Sequence, residues 1–183
     1  MERALEPEKL SILEEAGAGW MPHSRRSLLE HLLGVRALLE GWRARPALLD
    51  AGLFHAVYGT EFFEREPLGP LERDRVRAVI GDEAERLAHL WGALQRRTLA
   101  DNVGRTEDFT ALVRTGGEAV PLSKADLSDL VTLWVADTLE QVDRLGGRTR
   151  HQPELYALRS FAAAPARLAL ERVFADRPFA KSP

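Results

Sequence analysis

Apolar residues recur at helical spacing in one segment of this chain after another, which strongly limits what it can fold into. Leu28, Leu32, Val35, Leu39 and Trp42 form one such stripe, Ala84, Leu87, Trp91 and Leu94 a second, and Leu127, Leu130 and Trp134 a third. Each stripe buries one face only, so the segments must pack on one another, and the expectation is an all-α helical bundle. Some inward positions carry polar residues instead. His31 falls three residues after Leu28 and four before Val35. His55 follows Gly52, Ala51 and Leu48 at helical spacing, and Asp137 follows Trp134 and Leu130 in the same way. An imidazole or carboxylate on the packed side of a helix costs free energy unless a partner compensates it.

The punctuation between stripes sets the predicted elements. A helix over Pro7–Glu15 is stopped by Gly17 and Gly19. Ser27 and Glu30 have the spacing of a capping box that opens the next helix. That helix should end near Arg45, because Pro46 disfavours helical backbone in the residue before it and can itself open another helix. Gly59 is the expected terminator, with His55 in the last turns. Leu71 to Ile80 reads as a short charged helix, with Asp82 as the N-cap of the one that follows. Helical periodicity is lost from Asp101 to Pro121, where one small β-hairpin near residues 108–121 is expected around Thr115, Gly116 and Gly117. Ser123 caps the helix that carries Asp137 and Gln141. After Gly146 and Gly147 a final helix runs from about Glu154, with Pro165 kinking or dividing it. There is no internal repeat, only the last few residues read as a tail, and residues 1–183 are expected to form a single domain.

Composition narrows the function classes. With 183 residues, 45% of them hydrophobic, the chain can bury a core without disulfides or a structural zinc site, and it has no cysteine to build either. The acidic N-terminal stretch lacks the pattern of a signal peptide, and no apolar run approaches a membrane span, so a cytoplasmic protein is expected. The net charge is −3 with Arg and Glu interspersed, which offers no basic face to nucleic acid or anionic lipid. The expected partner is a small-molecule substrate; a homodimer through apolar surface is left open. High Arg, Ala and Leu usage fits a bacterial source.

Two imidazoles and a carboxylate from three helices are sufficient for a catalytic metal with open positions for water and substrate. The plain alternative makes each histidine a satisfied core residue and Asp137 a helix-to-helix hydrogen-bond partner. Around the trio, Tyr58 and Thr60 belong to a loop at the mouth of the site, where Tyr58 can donate to a substrate oxygen. Arg96 and Arg97 follow the Trp91 helix, and a guanidinium there, Arg97 in the preferred assignment, can meet a phosphate or carboxylate. Gln141, one turn beyond Asp137, can orient its carboxylate, and Thr60 is assigned a similar supporting place. His89 and His151 read as surface residues. No phosphate loop, dinucleotide fingerprint, H-E-x-x-H or cysteine nucleophile competes with the metal reading.

The segments SLLEHLLGVRALLEGW, AGLFHAVYGTEFF and VADTLEQ together resemble the HD-domain superfamily of metal-dependent phosphohydrolases. More narrowly, His23, LLEHL and the string AGLFHAVYGTE resemble the bacterial DUF6817 family. The superfamily resemblance implies an HD-like helical domain whose ligands are a first histidine, a His-Asp pair and a late aspartate, matched here by His31, His55 and Asp137. Ala56 stands where the pair would place its aspartate, and a methyl group cannot ligate metal, so a mononuclear site is expected, with His23 as a fourth ligand. Glu61 replaces the missing carboxylate or acts as general base. The implied cofactor is a divalent ion such as Fe, Mn, Ni, Zn or Mg. The leading expectation is an HD-type hydrolase acting on a small phosphorylated molecule or nucleotide. A mononuclear iron oxygenase and a non-catalytic binding domain are the alternatives.

Overall fold

The computed structural model describes residues 6–23, 25–61, 63, 67–68, 72–144 and 151–175. The expected all-α bundle is mostly helical, with two small antiparallel sheets among the described residues rather than the one anticipated hairpin. The chain runs α1 (Pro7–Glu15), β1 (Pro22–His23), β2 (Arg26–Ser27), α2 (Leu28–Gly41), α3 (Pro46–Phe54), α4 (Arg73–Ile80) and α5 (Asp82–Ala93). A 3-10 segment (Arg96–Asn102), β3 (Phe109–Leu112), β4 (Ala119–Leu122), α6 (Lys124–Gln141), α7 (Gln152–Ala157) and α8 (Ala164–Phe174) follow. Leu71, Gly146, Gly147 and the tail lie outside the described residues.

Local chemistry accounts for most boundaries. The Ser27 and Glu30 capping box forms at the head of α2, and Ser123 with Asp126 forms another at the head of α6. α2 stops at Gly41, short of the expected Arg45, because Arg43 turns left-handed (φ 56) and the Ala44 amide reaches back to the Leu39 carbonyl. Asp82 is the first helical residue of α5 and not its cap. Gly81 takes that position at φ 83, a conformation open to glycine, and joins α4 to α5 without a loop. Pro165 divides the C-terminal helices by occupying the first turn of α8.

The β3–β4 hairpin pairs Phe109 with Leu122 and Leu112 with Ala119. The 3-10 segment that precedes it has no signal in the apolar spacing. Fully buried Asn102 pins it, donating to the Leu99 and Thr110 carbonyls and accepting from the Thr110 amide. Thr98 adds a bond from the Leu112 amide.

α2 lies along α3 and α6, α3 packs on α5, and α6 packs on α8. The core comprises two apolar clusters. Leu28 and Leu32 of α2 join Leu53, Phe54, Ala56, Val76 and Ala84 in one of them. Val35 and Leu39 of the same helix join Trp91, Leu94, Leu130, Trp134 and Leu170 in the other. His31 therefore sits on α2 at the seam between the two. No helix among the described residues is long and apolar enough to cross a membrane.

Candidate metal centre

His31 from α2, His55 capping the C-terminus of α3 and Asp137 from α6 meet in the interior, all three buried. His31 Nε2 stands 3.3 Å from His55 Nε2 and 3.2 Å from Asp137 Oδ1, and His55 Nε2 stands 3.8 Å from the same oxygen. The far nitrogen of each ring is already committed. His31 Nδ1 lies 2.5 Å from Glu140 Oε2, and His55 Nδ1 lies 2.7 Å from the Gly52 carbonyl oxygen. Both partners accept only, so each Nδ1 carries the hydrogen, and in the neutral rings both Nε2 lone pairs face Asp137 Oδ1. Three acceptors thus converge on one point, where the positive charge of a proton or a metal ion can relieve them.

Without an ion, a proton is that charge. Burial alone would lower the pKa of His31, but hydrogen bonds to Asp137 and Glu140 outweigh it and raise it to about 9. Burial, together with the charge of His31, pushes His55 down to about 4. Although burial would raise its pKa, Asp137 is held well below the usual carboxylate range by His31, His55 and Arg96. A divalent ion fits the same place. Donors about 2.0–2.2 Å from an ion stand about 2.8–3.6 Å apart around tetrahedral or octahedral centres, and two of the three spacings fall in that window.

The surrounding residues fix this arrangement. Gln141 donates to Asp137 Oδ1 at 2.7 Å, and Arg96 Nη1 donates to Oδ2 at 3.0 Å. Arg96 is buried with its guanidinium 4.6 Å from the Trp91 ring centre, a second bond to Thr60 Oγ1, and its own amide donating to Glu61 Oε2 at 2.9 Å. Thr60 and Glu61 therefore hold the arginine. Glu140, which apolar spacing gave no reason to single out, is almost wholly buried and also meets Arg144 at 2.5 Å. Space for it exists because α2 has Gly34 opposite: a Cβ there would stand 2.8 Å from Glu140 Cγ.

Other sequence candidates fall elsewhere. Arg97 is exposed, and its neighbour Arg96 is the guanidinium at Asp137, which corrects the assignment within that pair. Tyr58 turns toward Glu85 and the edge of His89, its ring centre 5.7 Å from the histidine's, and burial and Glu85 raise its pKa. His89 is accordingly half-buried and not a surface residue. His23 stacks on His31 at 4.4 Å between ring centres, with its Nε2 buried and without a hydrogen-bond partner, yet it stands outside the three-residue ligand group. Burial and the charge of His31 lower its pKa to about 4. Ala56 is packed in the apolar cluster with Leu53 and Phe54.

Residues 12–96 match the family model of DUF6817, a domain of unknown function. This supports the narrower resemblance read from AGLFHAVYGTE. The match covers just under half of the chain: it takes in both histidines of the trio and Arg96, and it ends before Asp137, Glu140 and Gln141. No curated protein and no solved structure matches the chain.

Proposed function

We propose that this chain is a mononuclear, metal-dependent hydrolase of HD type, acting on a small phosphorylated molecule or nucleotide. The convergence of three acceptor atoms, two of them on imidazoles whose other nitrogens are fixed by Glu140 and Gly52, carries the reading. Core histidines would find donors, whereas these find one another. His31, His55 and Asp137 would hold the ion, which supplies Lewis acidity and lowers the pKa of water toward neutrality. The protein's own part is positional. Gln141 holds the Asp137 oxygen that faces the histidines, Arg96 holds the other, and Glu61, tied to the Arg96 amide, is the candidate proton acceptor.

A second reading has one observation in its favour. Two histidines and one carboxylate is the donor set of mononuclear iron oxygenases, so metal identity separates oxygen chemistry from hydrolysis. The test is elemental analysis of untagged protein alongside the His31→Ala and His55→Ala variants, with helicity checked by circular dichroism. One equivalent of metal in wild type, lost in both folded variants, is expected. Wild type that takes up no metal even on reconstitution overturns the assignment and leaves a ligand-binding or partner-binding domain.

A further inference from the structure

His23 touches the trio without belonging to it. Its ring stacks on His31 at 4.4 Å between centres and meets the edge of Phe63 at 5.1 Å. Its Nε2 is sealed from solvent and has no hydrogen-bond partner among the described residues. A buried ring nitrogen left unbonded costs free energy, so bonding it to a partner from outside would recover some of that cost.

The backbone aims this ring. His23 and Arg26 pair directly across the β1–β2 hairpin, so their side chains leave the same face of the ribbon. Arg26 Nη1 stands 3.9 Å from Glu140 Oε1, beside the carboxylate that holds His31, and that face therefore looks onto the metal centre. The base of the hairpin is fixed by the Leu28 amide, which donates to the Met21 carbonyl, and by the capping box of α2. With the main chain anchored in this way, side-chain rotation is the movement left to His23.

We propose, resting on the metal-centre reading above, that His23 is a fourth ligand that engages only when the ion is present: its ring leaves the stack, and its Nε2 joins His31, His55 and Asp137. Without the ion it stands outside the ligand group. Imidazole is the commonest side-chain donor to such metals, and the move gives the orphaned nitrogen its partner. Three imidazoles and a carboxylate fill a tetrahedral site, so water and substrate join them only around a five- or six-coordinate ion.

15N NMR of protein labelled in its histidine rings tests this, with Zn2+ as a diamagnetic probe. Of the five histidines in the chain, His23, His31 and His55 should move to metal-bound positions on addition of one equivalent, while His89 and His151 stay in place. His23→Phe keeps a ring on the stack and removes its nitrogens. By calorimetry it should bind Zn2+ more weakly by at least about 100-fold, the upper end of what residues that only orient a ligand typically cost. Should that variant not fold, His23→Gln should show the same loss, and the wild-type spectrum needs neither.

Only His31 and His55 shifting in wild type, or a smaller loss of affinity in either folded variant, overturns the proposal and leaves the metal centre standing. Zn2+ that shifts none of these rings overturns the metal-centre reading, and the proposal falls with it.

Discussion

His31 Nδ1 stands 2.5 Å from Glu140 Oε2, across the interface of α2 and α6. That contact determines which nitrogen of His31 carries hydrogen and so which one faces Asp137. Glu140→Ala should therefore free the ring to rotate and weaken metal binding by about 10- to 100-fold, the range typical of partners that orient a ligating histidine. Glu140→Gln should lose less, because its amide oxygen still accepts. Mn2+ titration reads both, and affinity unchanged in Glu140→Ala would remove the residue from the site.

Gly34→Ala probes the same contact from the other helix. Its Cβ would press on Glu140 Cγ and Oε1, so Glu140 must move away from His31. Alanine also favours the helix over glycine by about 1 kcal/mol. The expected signature is a drop of about tenfold in metal affinity, of the kind produced by disturbing such a partner, without a matching loss of thermal stability. Equal losses in both would point to general disruption.

The metal-free protein should be most stable near pH 6.5. The raised pKa of His31 gives stability that is complete below the ordinary histidine value and is lost as pH climbs through about 9. His23 and His55 act on the acid side. Each is lowered to about 4, so the unfolded chain takes up their protons first and stability falls as pH drops from 6.5 toward 4. Thermal melts from pH 4 to 9 in the presence of chelator should show this maximum. A flat profile between 6.5 and 9 would contradict a protonated His31.

An ion must displace the His31 proton. Apparent metal affinity should therefore rise by up to about tenfold per pH unit between pH 7 and 9, with close to one proton released at pH 7. Calorimetry in buffers of different ionisation enthalpy measures the release directly. No proton release at pH 7 would place the ion elsewhere.

Asp137→Asn removes the carboxylate that faces the Arg96 guanidinium and the His31 ring. Breaking a buried pair in this way costs about 3–5 kcal/mol, since the remaining charge stays buried. Urea unfolding should show the loss, and the double variant Asp137→Asn/Arg96→Met should recover part of it. Additive effects would mean that the two side chains are not coupled.

The trio was legible because His31, His55 and Asp137 each break an apolar stripe, and a polar residue at an inward position demands a partner. Gln141 was legible for the same geometric reason, one turn further along the same face. Glu140 was not, because a charged residue in the last turn of a helix reads as solvated until its neighbours are known. Its one trace was Gly34, a glycine in the interior of a strong helix, which signals a close approach without naming what approaches. Arg96 and Arg97 are indistinguishable as a sequence pair; the 3-10 turn, set by Asn102 and Thr98, buries one and exposes the other. Tyr58 followed His55 closely enough to suggest a shared cleft, but the turn after α3 carries its ring to Glu85 and His89 of α5, while His55 faces Trp91 further along the same helix. The two-residue strands β1 and β2 are too short to leave a periodic pattern.

The seam on α2 has a mechanical consequence. Leu28 and Leu32 belong to one apolar cluster, Val35 and Leu39 to the other, and His31 lies between them with its partners on α3 and α6. A charge shared by the trio acts as a rivet through the joint, fastening two greasy blocks to which α2, α3 and α5 each contribute residues. Loading the joint should make the blocks melt as one, and stripping it should let them part in sequence, so the breadth of the melting transition would report occupancy even before any substrate is known.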